Sequence, residues 1–147
     1  AVMVPQHYDL SEYFEISSRA KKVMDAFLPG PLTCLVKAKK KAPWQTHLGT
    51  DIAGIRIPDK KELLDFLNSL PYPLQVTSAN ISGQPSLKDY QSVYDVFQNS
   101  LEVKGIVKGI CDSGTPTTVV SLVSDRPVVI RQGDITQEQI EKVYFEN

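Results

Sequence analysis

Apolar positions along the chain fall into two alternating rhythms. Short runs at "AVMVP", "LTCLVKA", "AGIRIP" and "PLQV", and later at "GIVKGI", "TTVVSLV" and "PVVIRQG", read as strands. Between them lie segments with apolar residues at helical spacing. A short helical piece is predicted near Asp9 to Phe14. A longer helix follows at "SSRAKKVMDAFL", where Ser17 or Ser18 caps and Ala20, Val23, Met24, Phe27 and Leu28 form the stripe; "PGP" at Pro29 to Pro31 ends it. "DKKELLDFLNSL" opens with Asp59 and Glu62 at capping-box spacing, and so do Thr136 and Gln139 in "TQEQIEKVYF". "SLKDYQSVYDVFQNSL" carries Leu87, Tyr90, Val93, Tyr94 and Phe97 on one face, with Ser86 placed to cap it. Strands alternate with helices and then cluster, which predicts an α/β layered domain with a mixed sheet. No internal repeat, linker or low-complexity tract interrupts the pattern.

Composition changes little in this picture. The chain has 147 residues, 41% of them apolar and 22% charged, enough for one domain with a real core and the mix of an ordinary soluble protein. No apolar run approaches the ~20 residues that span a bilayer, and no basic-then-apolar leader opens the chain. Cys34 and Cys111 stand far apart without a Cys-x-x-Cys neighbour, which argues against a structural disulfide or zinc site and fits a reduced cytoplasmic setting. A net charge of −1 gives no global case for nucleic acid, so any anion site must be local.

The chemistry concentrates in segments that end strands or turns, where open α/β sheets bind ligands. "TSANISGQPS" from Thr77 to Ser86 puts hydroxyls, an amide, a glycine and a proline directly after an apolar run. It offers Ser78, Asn80, Ser82 and Ser86 to a ligand rich in acceptors, or it is a plain polar turn. "GIRIP" and "VVIRQG" each hold an arginine, Arg56 and Arg131, in an otherwise apolar strand. A buried guanidinium requires a partner, and a carboxylate or phosphate matches its fork; on a one-sided sheet each arginine instead faces water. "PGPLT" sets Thr33 after a rigid turn. His7 and His47 lack a catalytic neighbourhood and read as surface residues. Asp112 and Ser113 read as turn residues, Lys37 to Lys41 as a solvated basic loop, and Trp44 as a cover on the core. No "GxxxxGK[ST]" loop exists, which excludes a conventional P-loop nucleotidase.

"PGPLT", "GIRIPD", "SANISGQPS", "TPTTVVSL" and "VVIRQGDIT", in this order, resemble the successive signatures of the YrdC/Sua5 family, the L-threonylcarbamoyladenylate synthases. The resemblance implies a twisted open mixed sheet with flanking helices around a concave ligand cavity, as a single domain over residues 1–147. It implies a nucleotidyltransferase that joins L-threonine, bicarbonate and ATP into threonylcarbamoyl-AMP and pyrophosphate, for the t6A modification of tRNA. ATP is then a substrate, accompanied by Mg2+, with no tightly bound cofactor and no catalytic side chain. Arg56 and Thr117, with the backbone near Val76, would hold threonine. Ser78, Asn80, Ser86, Arg131 and Thr33, with the backbone near Ile52, would serve the nucleotide.

Family members carry a strand and a basic Lys-x-Arg segment before the point that "AVMVP" matches, so the chain reads as amino-terminally shortened, with activity dependent on that segment. It also resembles the single-domain kind rather than the longer Sua5 kind. Proteins of the t6A pathway and a second copy of the chain are the expected protein partners. The alternative reading is a non-catalytic module or inactive fragment binding nucleotide, tRNA or double-stranded RNA. A carbamoyltransferase relative is the third; no zinc-finger or acylphosphatase segment supports it.

Overall fold

The computed structural model describes residues 1–39, 50–111 and 115–147. The predicted Lys40, Lys41, Trp44, His47, Asp112 and Ser113 roles lie outside the described residues. The chain divides into two compact units, one of Ala1–Val76 with Thr115–Asn147 and the other of Thr77–Gly114.

The first unit is built on one sheet. Its strands are β1 (Val2–Met3), β2 (Phe14–Glu15), β3 (Leu32–Ala38), β4 (Ile52–Arg56), β5 (Leu74–Gln75), β6 (Thr118–Ser121) and β7 (Val128–Arg131). They run in the order β5-β1-β4-β3-β6-β7, with β2 paired to the far end of β3. Parallel pairs (β1 with β4, β3 with β6) mix with antiparallel ones, so the sheet is mixed, and it is open rather than closed. Helices α1 (Ser18–Phe27), α2 (Lys61–Asn68) and α4 (Gln137–Tyr144) flank it.

Strand alternation decides which face does what. Leu32, Cys34 and Val36 of β3, Ala53 and Ile55 of β4, and Val120 of β6 point one way and are buried with Ala20, Val23 and Met24 of α1 and Ile140 and Tyr144 of α4. That is the core. The residues between them point to the other face, which the sequence leaves sparser: Thr33 and Leu35, Gly54 and Arg56, Val119, and Arg131 opposite Val119. Core packing thus fixes the register, and the register places two arginines and a threonine on one surface.

Two capping expectations divide. Thr136 accepts from the Gln139 amide while the Gln139 side chain accepts from the Thr136 amide, completing the box at α4. At α2 the box is absent: the helix begins one residue late, with extended Lys60 at its cap and no side-chain bond. Ser17 caps α1 as expected, its hydroxyl accepting from the Ala20 amide. The helical piece near Asp9 to Phe14 shrinks to one 3₁₀ turn at Leu10–Glu12, because Phe14 and Glu15 pair with Ala38 and Lys37 instead.

The second unit holds α3 (Tyr90–Phe97). Its cap is Asp89, not Ser86: the Asp89 carboxylate accepts from the Ser92 amide, while the Leu87 amide is committed to the Ala79 carbonyl. The "GIVKGI" run is not a strand. Only Ile110 joins an isolated bridge, to Asp89, and β propensity without a neighbouring edge to pair makes no sheet. Among its described residues none is buried.

Candidate functional site

Four of the predicted residues come together on the open face of the first unit. Thr33, 6% exposed, sits on β3, and its Oγ1 lies 2.8 Å from the Oγ1 of Thr117, just before β6. Arg131, at the end of β7, donates from Nε and Nη2 to the Thr117 carbonyl at 3.1 and 2.9 Å, and from Nη2 to the Thr117 hydroxyl at 3.2 Å. Both ends of Thr117 are therefore engaged. The remaining Arg131 donors face outward, since the residue is exposed.

Arg56 completes the group. The register that pairs Cys34 with Ile55 brings it opposite Thr33 across β3 and β4. It is half-buried, and its buried Nε meets no acceptor. Burial, and then the like charge of Arg131, pull its pKa below the ordinary arginine value. A desolvated guanidinium beside a second one, with no carboxylate next to it among the described residues, is unfavourable alone and favourable around an anion. The face is built for acceptors. Hydroxyls and two guanidinium forks can grip carboxylate or phosphate oxygens.

The other predicted residues fall elsewhere. Ile52 shares the open face at the far end of β4, with its amide donating to the Thr50 hydroxyl. The Val76 amide donates to the Ala1 carbonyl, extending the pairing of β1 and β5. Ser78, Asn80 and Ser86 belong to the second unit. Their loop is tightened by a turn in which the Gln84 amide donates to the Ile81 carbonyl, with Gly83 at φ 83° as its third residue, a position that favours glycine. Asn80 Nδ2 donates to the same carbonyl, while its buried Oδ1 has no partner. Ser78, Ser82 and Ser86 are exposed.

Two residues escaped the sequence reading. Gly54 lies beside Thr33: a Cβ there would stand 3.0 Å from the Thr33 methyl, so the glycine leaves room for Thr33. A glycine inside an apolar strand is the available signal of close approach. Thr118, next to Thr117, is fully buried and triply hydrogen-bonded; nothing in "TPTT" distinguishes it from its neighbours. As for the cysteines, Cys34 is buried, which pushes its thiol up to about 12, and Cys111 is exposed. His7 is exposed, as expected.

Comparison with known proteins gives the family and the fold. The model of the Sua5/YciO/YrdC family, described as telomere recombination, matches residues 1–133. A threonylcarbamoyl-AMP synthase of Bacillus subtilis is 36% identical over 131 residues, covering 85% of this chain and 36% of that protein. Its counterpart in Pyrococcus abyssi is 33% identical over 132 residues, covering 90% and 38%. The crystal structure of P. abyssi Sua5 complexed with L-threonine matches with a TM-score of 0.83 and 29% identity, covering 97% of this chain and 42% of that one. The chain thus spans well under half the length of these relatives.

Proposed function

The chain belongs to the Sua5/YciO/YrdC family, and from that premise we propose that it carries the substrate sites of an L-threonylcarbamoyladenylate synthase. The carrying observation is Arg56, half-buried with an unsatisfied Nε beside Arg131. Arg56 grips the threonine carboxylate in this reading, with Thr117 and the Val76 backbone beside it. Arg131, held by Thr117, meets the nucleotide phosphate; Thr33 lines the same surface, and the Ile52 backbone contributes. Ser78, Asn80 and Ser86 are each proposed as nucleotide contacts.

The chemistry asks for alignment rather than a protein nucleophile. The threonine amine takes up CO2 derived from bicarbonate and loses a proton, giving a carbamate. A carbamate oxygen attacks the α-phosphorus of ATP, the bond to the β-phosphate oxygen breaks, and pyrophosphate leaves. Arg56 orients the threonine, and Arg131 orients the nucleotide and offsets charge that builds on its phosphoryl oxygens. Magnesium, arriving on ATP, would be held by the phosphates and neutralise them.

The test is calorimetric titration of threonine and ATP with pyrophosphate release measured in parallel, omitting ATP, threonine or bicarbonate in turn. Arg56→Ala should weaken threonine binding by about 100-fold, as expected for a lost charge-assisted bidentate contact. ATP affinity should hold within about twofold, because that contact is not made to the nucleotide. Equal loss of both ligands would overturn the assignment. Salt-sensitive RNA binding without threonine-dependent nucleotide binding would put a binding module in its place.

A further inference from the structure

Thr118 opens β6 on the core face, fully buried. Its hydroxyl donates to the Ile135 carbonyl at 2.7 Å and accepts from the Gly133 amide at 2.8 Å and the Ile135 amide at 3.1 Å. A threonine hydroxyl has one proton and two lone pairs, so it is saturated. All three bonds go to one short segment, the turn that leaves Arg131 and leads to the Thr136 cap of α4. The same turn is seated on the strand before it. A Cβ at Gly133 would lie 2.3 Å from the Pro116 carbonyl oxygen and 2.8 Å from the Thr118 nitrogen, so only glycine fits.

Arg131 is therefore fixed at two levels. Its guanidinium is tied to the Thr117 carbonyl and hydroxyl. Its backbone continues directly into the turn that Thr118 clasps and Gly133 seats. The two anchors are consecutive residues, and β6 faces β7 across a register shift between Val119 and Val120, where ladder pairing alone specifies position poorly. The hydroxyl supplies the specification that the irregular ladder lacks. A valine would fill the same volume and leave the buried Ile135 amide and the part-buried Gly133 amide without an acceptor.

We propose that Thr118 is a positioning residue for the anion-binding arginine: acting through the Gly133 turn, it holds Arg131 where the nucleotide phosphate binds and touches no ligand itself. The proposal rests on the synthase reading given above, and it predicts a split in affinity. Nucleotide binding depends on Thr118 more than threonine binding does, because threonine is assigned chiefly to Arg56 on β4 and only in part to Thr117.

The experiment compares the unaltered chain with Thr118→Val, Thr118→Ser and Gly133→Ala by titration with ATP and with L-threonine, and by amide hydrogen exchange without ligand. In Thr118→Val the Gly133 and Ile135 amides should exchange faster by about tenfold or more, because their acceptor is gone. Its ATP affinity should fall about tenfold, the equivalent of one hydrogen bond's net contribution. Threonine affinity should fall clearly less, by about threefold at most, because its main contact, Arg56, is untouched and only Thr117 links the two sites. Thr118→Ser, which keeps the hydroxyl, should restore both amide protection and ATP affinity. Gly133→Ala, which keeps the hydroxyl but lifts the turn, should reproduce the split, and it decides the matter together with the serine variant if the valine variant does not fold. Unchanged ATP affinity in Thr118→Val and Gly133→Ala, or parallel loss of both ligands, overturns the proposal alone. An unaltered chain that binds neither ATP nor threonine overturns the synthase reading and removes this role with it.

Discussion

Arg56 shows how one residue can be costly for folding and useful for binding. Its guanidinium is partly desolvated, its Nε lacks an acceptor, and its near neighbour is another cation. Replacing it with a long apolar side chain removes an unpaired charge and keeps the packing of its stem. Arg56→Met should raise stability by roughly 1 kcal/mol, or a few degrees in melting temperature, while weakening threonine binding by about 100-fold. A thermal melt without ligand checks it; a lower melting temperature would mean that Arg56 has a stabilising partner in the folded chain. The two cysteines give a second test. The Cys34 thiol, pushed up to about 12 by burial, has almost no thiolate at pH 8, and Cys111 is exposed. A thiol reagent should label one equivalent quickly and the second only after denaturation. Both arginines were legible in the sequence, because a guanidinium in an apolar strand demands an explanation. Thr118 was not, because only the fold decides which threonine of "TPTT" turns inward.

At the scale of elements, the sequence showed which segments are helices better than where they begin. The Thr136 and Gln139 pair forms the expected box, and its loss in Thr136→Ala should cost about 1 kcal/mol in chemical denaturation. The same spacing at Asp59 and Glu62 does not, since α2 starts after Lys60. Lysine is a poor cap, with no side-chain acceptor for the free amides and a charge repelled by the helix N-terminus. Lys60→Asp should therefore stabilise the chain by about 0.5–1 kcal/mol; a neutral or negative result would show that the first turn of α2 is held by other means. "GIVKGI" failed for a different reason. A short run of β-branched residues reports a surface suited to a sheet, and whether a neighbouring edge exists is decided by segments far away in sequence. Strand order is equally non-local. Two-residue strands such as β1 and β5 carry almost no periodic signal, yet they set one end of the sheet.

Across the whole molecule, burial is divided unequally between the two units. The first holds the continuous core between sheet and helices. The second, Thr77–Gly114, has no buried side chain among its described residues and exposes Leu101, Val107 and Ile110. Hydrophobic burial is the dominant source of local stability, so a segment that lacks it opens at low free energy. Amides of α3 should then exchange far faster than those of β3, β4 and β6, and limited proteolysis should cut within Thr77–Cys111 before it cuts the sheet. The nucleotide contacts proposed for Ser78, Asn80 and Ser86 add a second arm. Ligand that binds only the ordered loop stabilises it by mass action, so saturating ATP should slow exchange there. Equal protection of both units without ligand would show that the chain opens only as a whole. Protection of the sheet alone on adding ATP would place the nucleotide on the first unit and leave the Ser and Asn loop without a role in binding it.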